Sequence, residues 1–240
     1  MPLVLRDDTD GVARLTLNRP EKLNALTPEL FAELRGHLDA IAGDATIGAV
    51  VLGGAGRSFC AGNDLDAIRA GHRGPDGFEA ATIDALEALP QPVIARVHGH
   101  CVTGGLELAL GCDLIVAAES AKFQDTHGKW GLVPVWGMTV RLPERVGRAR
   151  ARDLMFTARR IDGATALAYG LADRCVPDDD LDQAVADLAA EITANSWGTS
   201  RIEKSLFAAQ SALPRAEALA HERALPFGRP ADAAERMTRR

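Results

Sequence analysis

Two glycine-bearing turns hold most of the reactive residue types of this chain. One reads Ser58-Phe59-Cys60-Ala61-Gly62-Asn63-Asp64-Leu65, the other Val97-His98-Gly99-His100-Cys101-Val102-Thr103-Gly104-Gly105-Leu106-Glu107. In the second, the Gly pair runs straight into an apolar helical pattern. Glycine lets a ligand approach the backbone closely, and the first N–H groups of a helix have no internal partner. A developing negative oxygen is stabilised there by those donors and by the helix dipole. Glu107 follows Gly104 by three residues, which on a helix sets its carboxylate on the same face, about 5 Å along the axis. An oxyanion donor and a carboxylate one turn apart suit proton transfer beside an enolate. A tightly packed helix start with a solvated first-turn acid fits the same residues, and the spacing leaves both readings open.

Other chemistries lack their signatures. There is no GxxxxGK[ST], the glycines at 53–56 do not have GxGxxG spacing, and no HExxH occurs. Ser58 is not in a GxSxG elbow, and the sequence places no base for it. Histidines 37, 72, 98, 100, 127 and 221 and cysteines 60, 101, 112 and 175 give no zinc spacing, so no metal is expected and the thiols read as reduced. A net charge of −6 gives no reason to expect a nucleic-acid partner. No apolar run approaches the roughly 20 residues a membrane span requires, and the start, Met1-Pro2-Leu3-Val4-Leu5-Arg6, is no signal peptide. A cytoplasmic location without membrane association is the expectation.

These residues need a scaffold. The chain has 240 residues, 47% hydrophobic and 25% charged, the balance of a globular domain. Strand signals fall at 2–5, 12–17, 49–52, 92–97 and 113–117. The alternation of Ala13, Leu15 and Leu17 with Arg14 and Thr16 is that of a half-buried strand. Thr27-Pro28-Glu29 opens a helix, with Thr as N-cap and Pro at the first position. Strands separated by helices predict crossover units and a largely parallel α/β sheet. After about residue 135 helical patterns follow one another, at 149–157, 163–169, 181–194, 201–212 and 214–225. Leu154, Leu167, Leu188, Leu206 and Leu219 are expected to be buried against the core or a neighbouring subunit.

Several segments, in order, resemble the crotonase superfamily, the enoyl-CoA hydratase/isomerase family. They are Leu17-Asn18-Arg19-Pro20-Glu21-Lys22-Leu23-Asn24-Ala25-Leu26, Phe59–Leu65, Gly104–Ala109 with Cys112-Asp113-Leu114, Phe123 through Pro134, and Ala158…Ala164…Ala168 with Gly170-Leu171-Ala172-Asp173. The resemblance implies a stacked ββα spiral core over residues 1–135 carrying an acyl-CoA site. A helical extension over 136–240 would serve oligomerisation, giving a homotrimer or dimer of trimers. It implies acyl-CoA thioester substrates and no cofactor, CoA being part of the substrate. The N–H groups of Asn63 and Gly104 would form the oxyanion hole. Lys22, Leu23, Ala61, Asn63, Asp64, Leu65, Asp66 and Gly104 would contact the CoA substrate. Glu107 would be the catalytic acid–base group of a 2-enoyl-CoA hydratase. Isomerisation, decarboxylation, retro-Claisen cleavage and non-catalytic acyl-CoA binding are the alternatives.

The chain departs from the family pattern in three places. A second glutamate commonly flanks the bound water; alignment puts His127 there, with Asp125 the other candidate. Histidine carries a proton near neutral pH, so His127 is a catalytic candidate beside Glu107. Thr103 replaces the usual first glycine of a GGG run and is expected to narrow the pocket floor. The chain also ends early, and Arg229, Arg236, Arg239 and Arg240 are read as a solvated basic terminus that could meet CoA phosphates.

Overall fold

The computed structural model describes residues 1–72 and 74–238. β1 (Val4–Thr9) turns at Asp10-Gly11 into β2 (Val12–Leu17). Both turn residues have positive φ, 51° and 76°, the two-residue hairpin geometry that Asp-Gly favours. The β2 alternation puts Ala13, Leu15 and Leu17 in the core. Thr27 accepts a hydrogen bond from the Leu30 N–H and caps α1 (Pro28–Ala42), which buries Leu30, Phe31, Leu34, Leu38 and Ile41. Burying one such side chain contributes about 1.5–3 kcal/mol.

The chain continues through β3 (Ala49–Gly54), α2 (Leu65–Arg69), α3 (Phe78–Glu87), β4 (Val93–Val97), β5 (His100–Val102), α4 (Gly104–Leu110), β6 (Leu114–Ala118), β7 (Lys122–Gln124) and α5 (His127–Trp130). Then come α6 (Met138–Val146), α7 (Arg148–Thr157), α8 (Gly163–Tyr169), β8 (Arg174–Val176), α9 (Leu181–Ala194), α10 (Trp197–Gln210), α11 (Arg215–Arg223) and α12 (Ala233–Thr238). The main sheet runs β1-β2-β3-β4-β6-β8; β1 and β2 are antiparallel and all its other pairings parallel. β4–β5–α4 and β6–β7–α5 are two successive ββα turns, with β4 paired to β6 and β5 paired to β7. Single bridges Leu26–Asn63, Cys60–Cys101 and Phe123–Ile161 extend the smaller layer. The fold is therefore α/β, a spiral of stacked ββα turns.

The chain past residue 135 differs from a purely helical extension. β8 is an edge strand of the main sheet, and α9 packs on β3, β4 and β6. A three-residue strand is too short to show a period in the sequence. Leu154 and Leu188 are buried as expected, whereas Leu167 and Leu219 are exposed on the single chain. Trp197 starts α10 by seating its ring against Gly11 and Gly48, where a Cβ would come within 2.6 Å and 2.4 Å of it. Arg236 is half-buried rather than free in solvent: it donates to the Ala194 and Asn195 carbonyls at 3.1 and 2.6 Å and pairs with Asp232. Arg239 and Arg240 lie outside the described residues. No described helix is long and apolar enough to cross a membrane.

Candidate active site

The two glycine turns meet backbone to backbone. A Cβ on Gly105 would fall 2.5 Å from the Cys60 carbonyl oxygen, so only glycine lets α4 dock there. A Cβ on Gly62 would stand 3.5 Å from the Gly104 nitrogen, and one on Gly104 would stand 3.4 Å from the Asn63 nitrogen. The N–H groups of Asn63 and Gly104 thus border one small space. Among the described residues neither N–H has a protein acceptor.

That space opens into a cleft of about 440 Å³. Asn63, Thr103, Gly104, Glu107 and His127 all line it. Glu107 is 1% exposed, and its Oε1 accepts from the Met138 N–H at 3.1 Å. Its Oε2 lies 3.8 Å from His127 Nε2. Behind the ring, His127 Nδ1 donates to Asp125 Oδ1 at 2.6 Å, which leaves Nε2 as the atom facing Glu107. Burial pushes the Glu107 carboxyl up to about 7, against the opposing pull of the His127 charge and the Met138 N–H. Burial works to lower the His127 pKa, but the hydrogen bond and charge of Asp125, with the charge of Glu107, outweigh it and raise it above the usual value. A carboxyl and an imidazole, each with its pKa raised, therefore stand side by side as acceptor and donor of a proton.

Thr103 sits at φ 51°, ψ −109°, a conformation that β-branched residues avoid. Its hydroxyl holds it there: Oγ1 accepts from the Thr126 N–H at 3.0 Å and lies 2.5 Å from Thr126 Oγ1. This ties the residue before Gly104 to the residue before His127. Thr103→Val leaves a buried N–H unpaired and is expected to lower stability by about 1–3 kcal/mol, whereas Thr103→Ser keeps the bond and stays near wild type; thermal melts check both.

The remaining expected contacts form a neighbouring patch rather than the cleft wall. The Ala61 N–H donates to the Leu23 carbonyl at 3.0 Å, and the Leu26 N–H to the Gly62 carbonyl at 2.8 Å. Asp64 caps α2, of which Leu65 is the first residue, and pairs with Arg19 at 3.0 Å; Lys22 pairs with Asp66 at 3.3 Å. Lys22 therefore faces an internal counter-ion that a phosphate would have to displace. Among the described residues no group of three His, Cys, Asp or Glu side chains is arranged to hold a metal ion.

Sequence reasoning missed Trp136. Its ring covers Gly104, 2.6 Å from where a Cβ would sit, and meets Phe31 edge-on with centroids 5.1 Å apart. Together with Pro28, Ile68 and Ala80 these rings give the cleft an apolar wall. A lone Trp between Pro134 and Gly137 was the available signal. Ser58 also differs from expectation: His100 Nδ1 lies 3.1 Å from its Oγ, so a base is present. Ser58 is nonetheless buried and lines no part of the cleft.

Known proteins resemble this chain over nearly its whole length. The family model for enoyl-CoA hydratase/isomerase matches residues 7–237. A probable enoyl-CoA hydratase of Mycobacterium bovis is 37% identical over 226 residues, covering 93% of this chain and 87% of the relative. A 1,2-epoxyphenylacetyl-CoA isomerase of Escherichia coli is 36% identical, covering 88% and 84%. The crystal structure of an enoyl-CoA hydratase from Bacillus anthracis superposes with a TM-score of 0.88 at 35% identity, over 92% of this chain and 88% of that one. The chain therefore belongs to the enoyl-CoA hydratase/isomerase family of the crotonase superfamily.

Proposed function

We propose that this protein is a 2-enoyl-CoA hydratase, with Glu107 as base and His127 as acid. The observation that carries the reading is the Glu107–His127 pair, 3.8 Å apart in the cleft beside two unpartnered amides. A water about 2.8 Å from both side chains would subtend roughly 85° between them, close enough to tetrahedral to bond both. The thioester oxygen sits between the Asn63 and Gly104 N–H groups. Glu107 takes a proton from the water as its oxygen attacks Cβ; the electron pair moves onto the thioester oxygen as an enolate. His127 then delivers its Nε2 proton to Cα, and the proton on Glu107 returns to His127. The net change is one water added and no group consumed, so the reaction needs no cofactor.

The Lys22–Asp66 patch would carry the CoA moiety, and the Phe31–Trp136 wall the acyl group. Assembly as a homotrimer or dimer of trimers belongs to the same reading; Trp130, Val133, Val135 and Phe156 are exposed apolar side chains for such packing to cover. Similarity to a monofunctional enoyl-CoA isomerase of M. smegmatis, 33% identical with a TM-score of 0.79 over 91% of this chain, favours a second reading, in which the same pair moves a proton between Cα and Cγ without water.

A panel of 2-enoyl-CoA thioesters separates the two. Hydration removes the conjugated thioester absorbance with uptake of solvent oxygen at Cβ; isomerisation moves the double bond with none. Under the hydratase reading kcat/KM is bell-shaped, with its acidic limb near pH 7 from Glu107 and its alkaline limb above the ordinary histidine value. His127→Ala is expected to remove the alkaline limb and slow hydration by about 10²-fold. Unchanged rate and profile would take His127 out of the mechanism.

A further inference from the structure

The cleft accounts for Glu107 and His127 but leaves a second buried carboxylate, Asp125, outside it. Asp125 is 2% exposed and does not line the cleft, so it does not reach a substrate there. Its Oδ1 accepts twice from one residue: from His127 Nδ1 at 2.6 Å and from the His127 main-chain N–H at 3.1 Å. The ring is thereby pinned at its rear nitrogen to the same oxygen that holds its backbone. We propose that Asp125 is a positioning residue, which fixes the imidazole with Nε2 toward Glu107 and keeps it charged as the proton donor of the site.

The inference rests on the hydratase reading for the use of that proton, and on geometry alone for the pairing. If the ring were free to flip, either nitrogen would face the cleft, and delivery to Cα would depend on which one did. A carboxylate against Nδ1–H removes that freedom and favours the imidazolium. The charged groups acting on the ring are Asp125 behind it and Glu107 in front. The two have different work: Glu107 exchanges a proton across 3.8 Å, whereas Asp125 is hydrogen-bonded to the nitrogen that does not face the substrate. His127, not Asp125, therefore stands in the place of the second acid.

The test compares Asp125→Asn and Asp125→Ala with wild type. Asn keeps an acceptor for Nδ1–H and loses the charge. The alkaline limb of kcat/KM should fall by about one pH unit or more. Ala loses the acceptor as well, and kcat should fall about 10- to 100-fold with KM little changed. NMR titration of the ring, assigned by the peak missing in His127→Ala, reads the same shift without any assay. A lowered His127 pKa in Asp125→Asn supports the proposal. An unchanged pKa and an unchanged limb overturn it, as does an activity loss that follows only a lowered melting temperature. A lowered pKa in a protein that turns over no enoyl thioester would sink the hydratase reading and still support the pairing.

Discussion

Glu107→Gln is expected to slow hydration by 10²-fold or more while the protein stays folded and continues to bind CoA thioesters. Gln has the same shape, and its Oε1 can keep the 3.1 Å bond from the Met138 N–H. What it loses is the ability to take a proton from water, a contribution of about 10²–10⁴-fold. The acidic limb near pH 7 should vanish with it. Stability should move the other way. Burial raises the folded-state pKa from 4.5 to about 7, so the contribution of the protonated carboxyl is complete below the unfolded-state value and is lost as pH rises through 7. Gln has no proton to lose, so at pH 8 the variant should be more stable than wild type by up to ~3 kcal/mol. Loss of conjugated-thioester absorbance measures the first effect, and denaturant melts at pH 5 and pH 8 the second. Near-wild-type turnover would remove Glu107 from the chemistry.

Gly104→Ala is expected to lower kcat/KM by about 10²–10³-fold, the scale for loss of one oxyanion donor. The new Cβ would stand 3.4 Å from the Asn63 nitrogen, at the edge of the space where the proposed mechanism seats the thioester oxygen, and 2.6 Å from Cζ3 of Trp136. The ring can swing away; the Asn63 backbone cannot. The double variant Gly104→Ala/Trp136→Ala separates the two contacts. If the Trp136 clash alone were responsible, removing the ring would restore activity. If the methyl obstructs the amide pair, the double variant stays slow, with a widened acyl pocket. Steady-state kinetics on short and long enoyl thioesters decide between them.

The legible parts of this structure are those whose cause is local. The Val12–Leu17 alternation and the Thr27-Pro28 helix start each depend on a few consecutive residues, and each is in place. β5, β7 and β8 have three residues apiece, shorter than any period can register. They exist because neighbouring turns of the spiral supply their partners. The site divides in the same way. Gly104 and Glu107 share one helix, so their spacing was informative. His127 comes from the next turn, 20 positions on, and its place opposite Glu107 follows from the parallel pairing of β7 with β5, which only the family resemblance foreshadowed. Trp136 gave no periodic signal because its role is set by the absence of a side chain at Gly104. Helix α10 begins at Trp197, four residues before the apolar pattern suggests, because Ser196 caps it and the Trp ring fits the notch at Gly11 and Gly48.

The Thr103–Thr126 contact also makes the two positions depend on each other unequally. The bond from the Thr126 N–H to Thr103 Oγ1 survives any residue at 126 except proline, whereas the Oγ1–Oγ1 contact needs a hydroxyl at both positions. Losing the hydroxyl at 103 breaks both bonds; losing it at 126 breaks one and leaves Thr103 held at its positive φ. Substitution at 126 is therefore the milder of the two, and the dependence runs one way across the cleft.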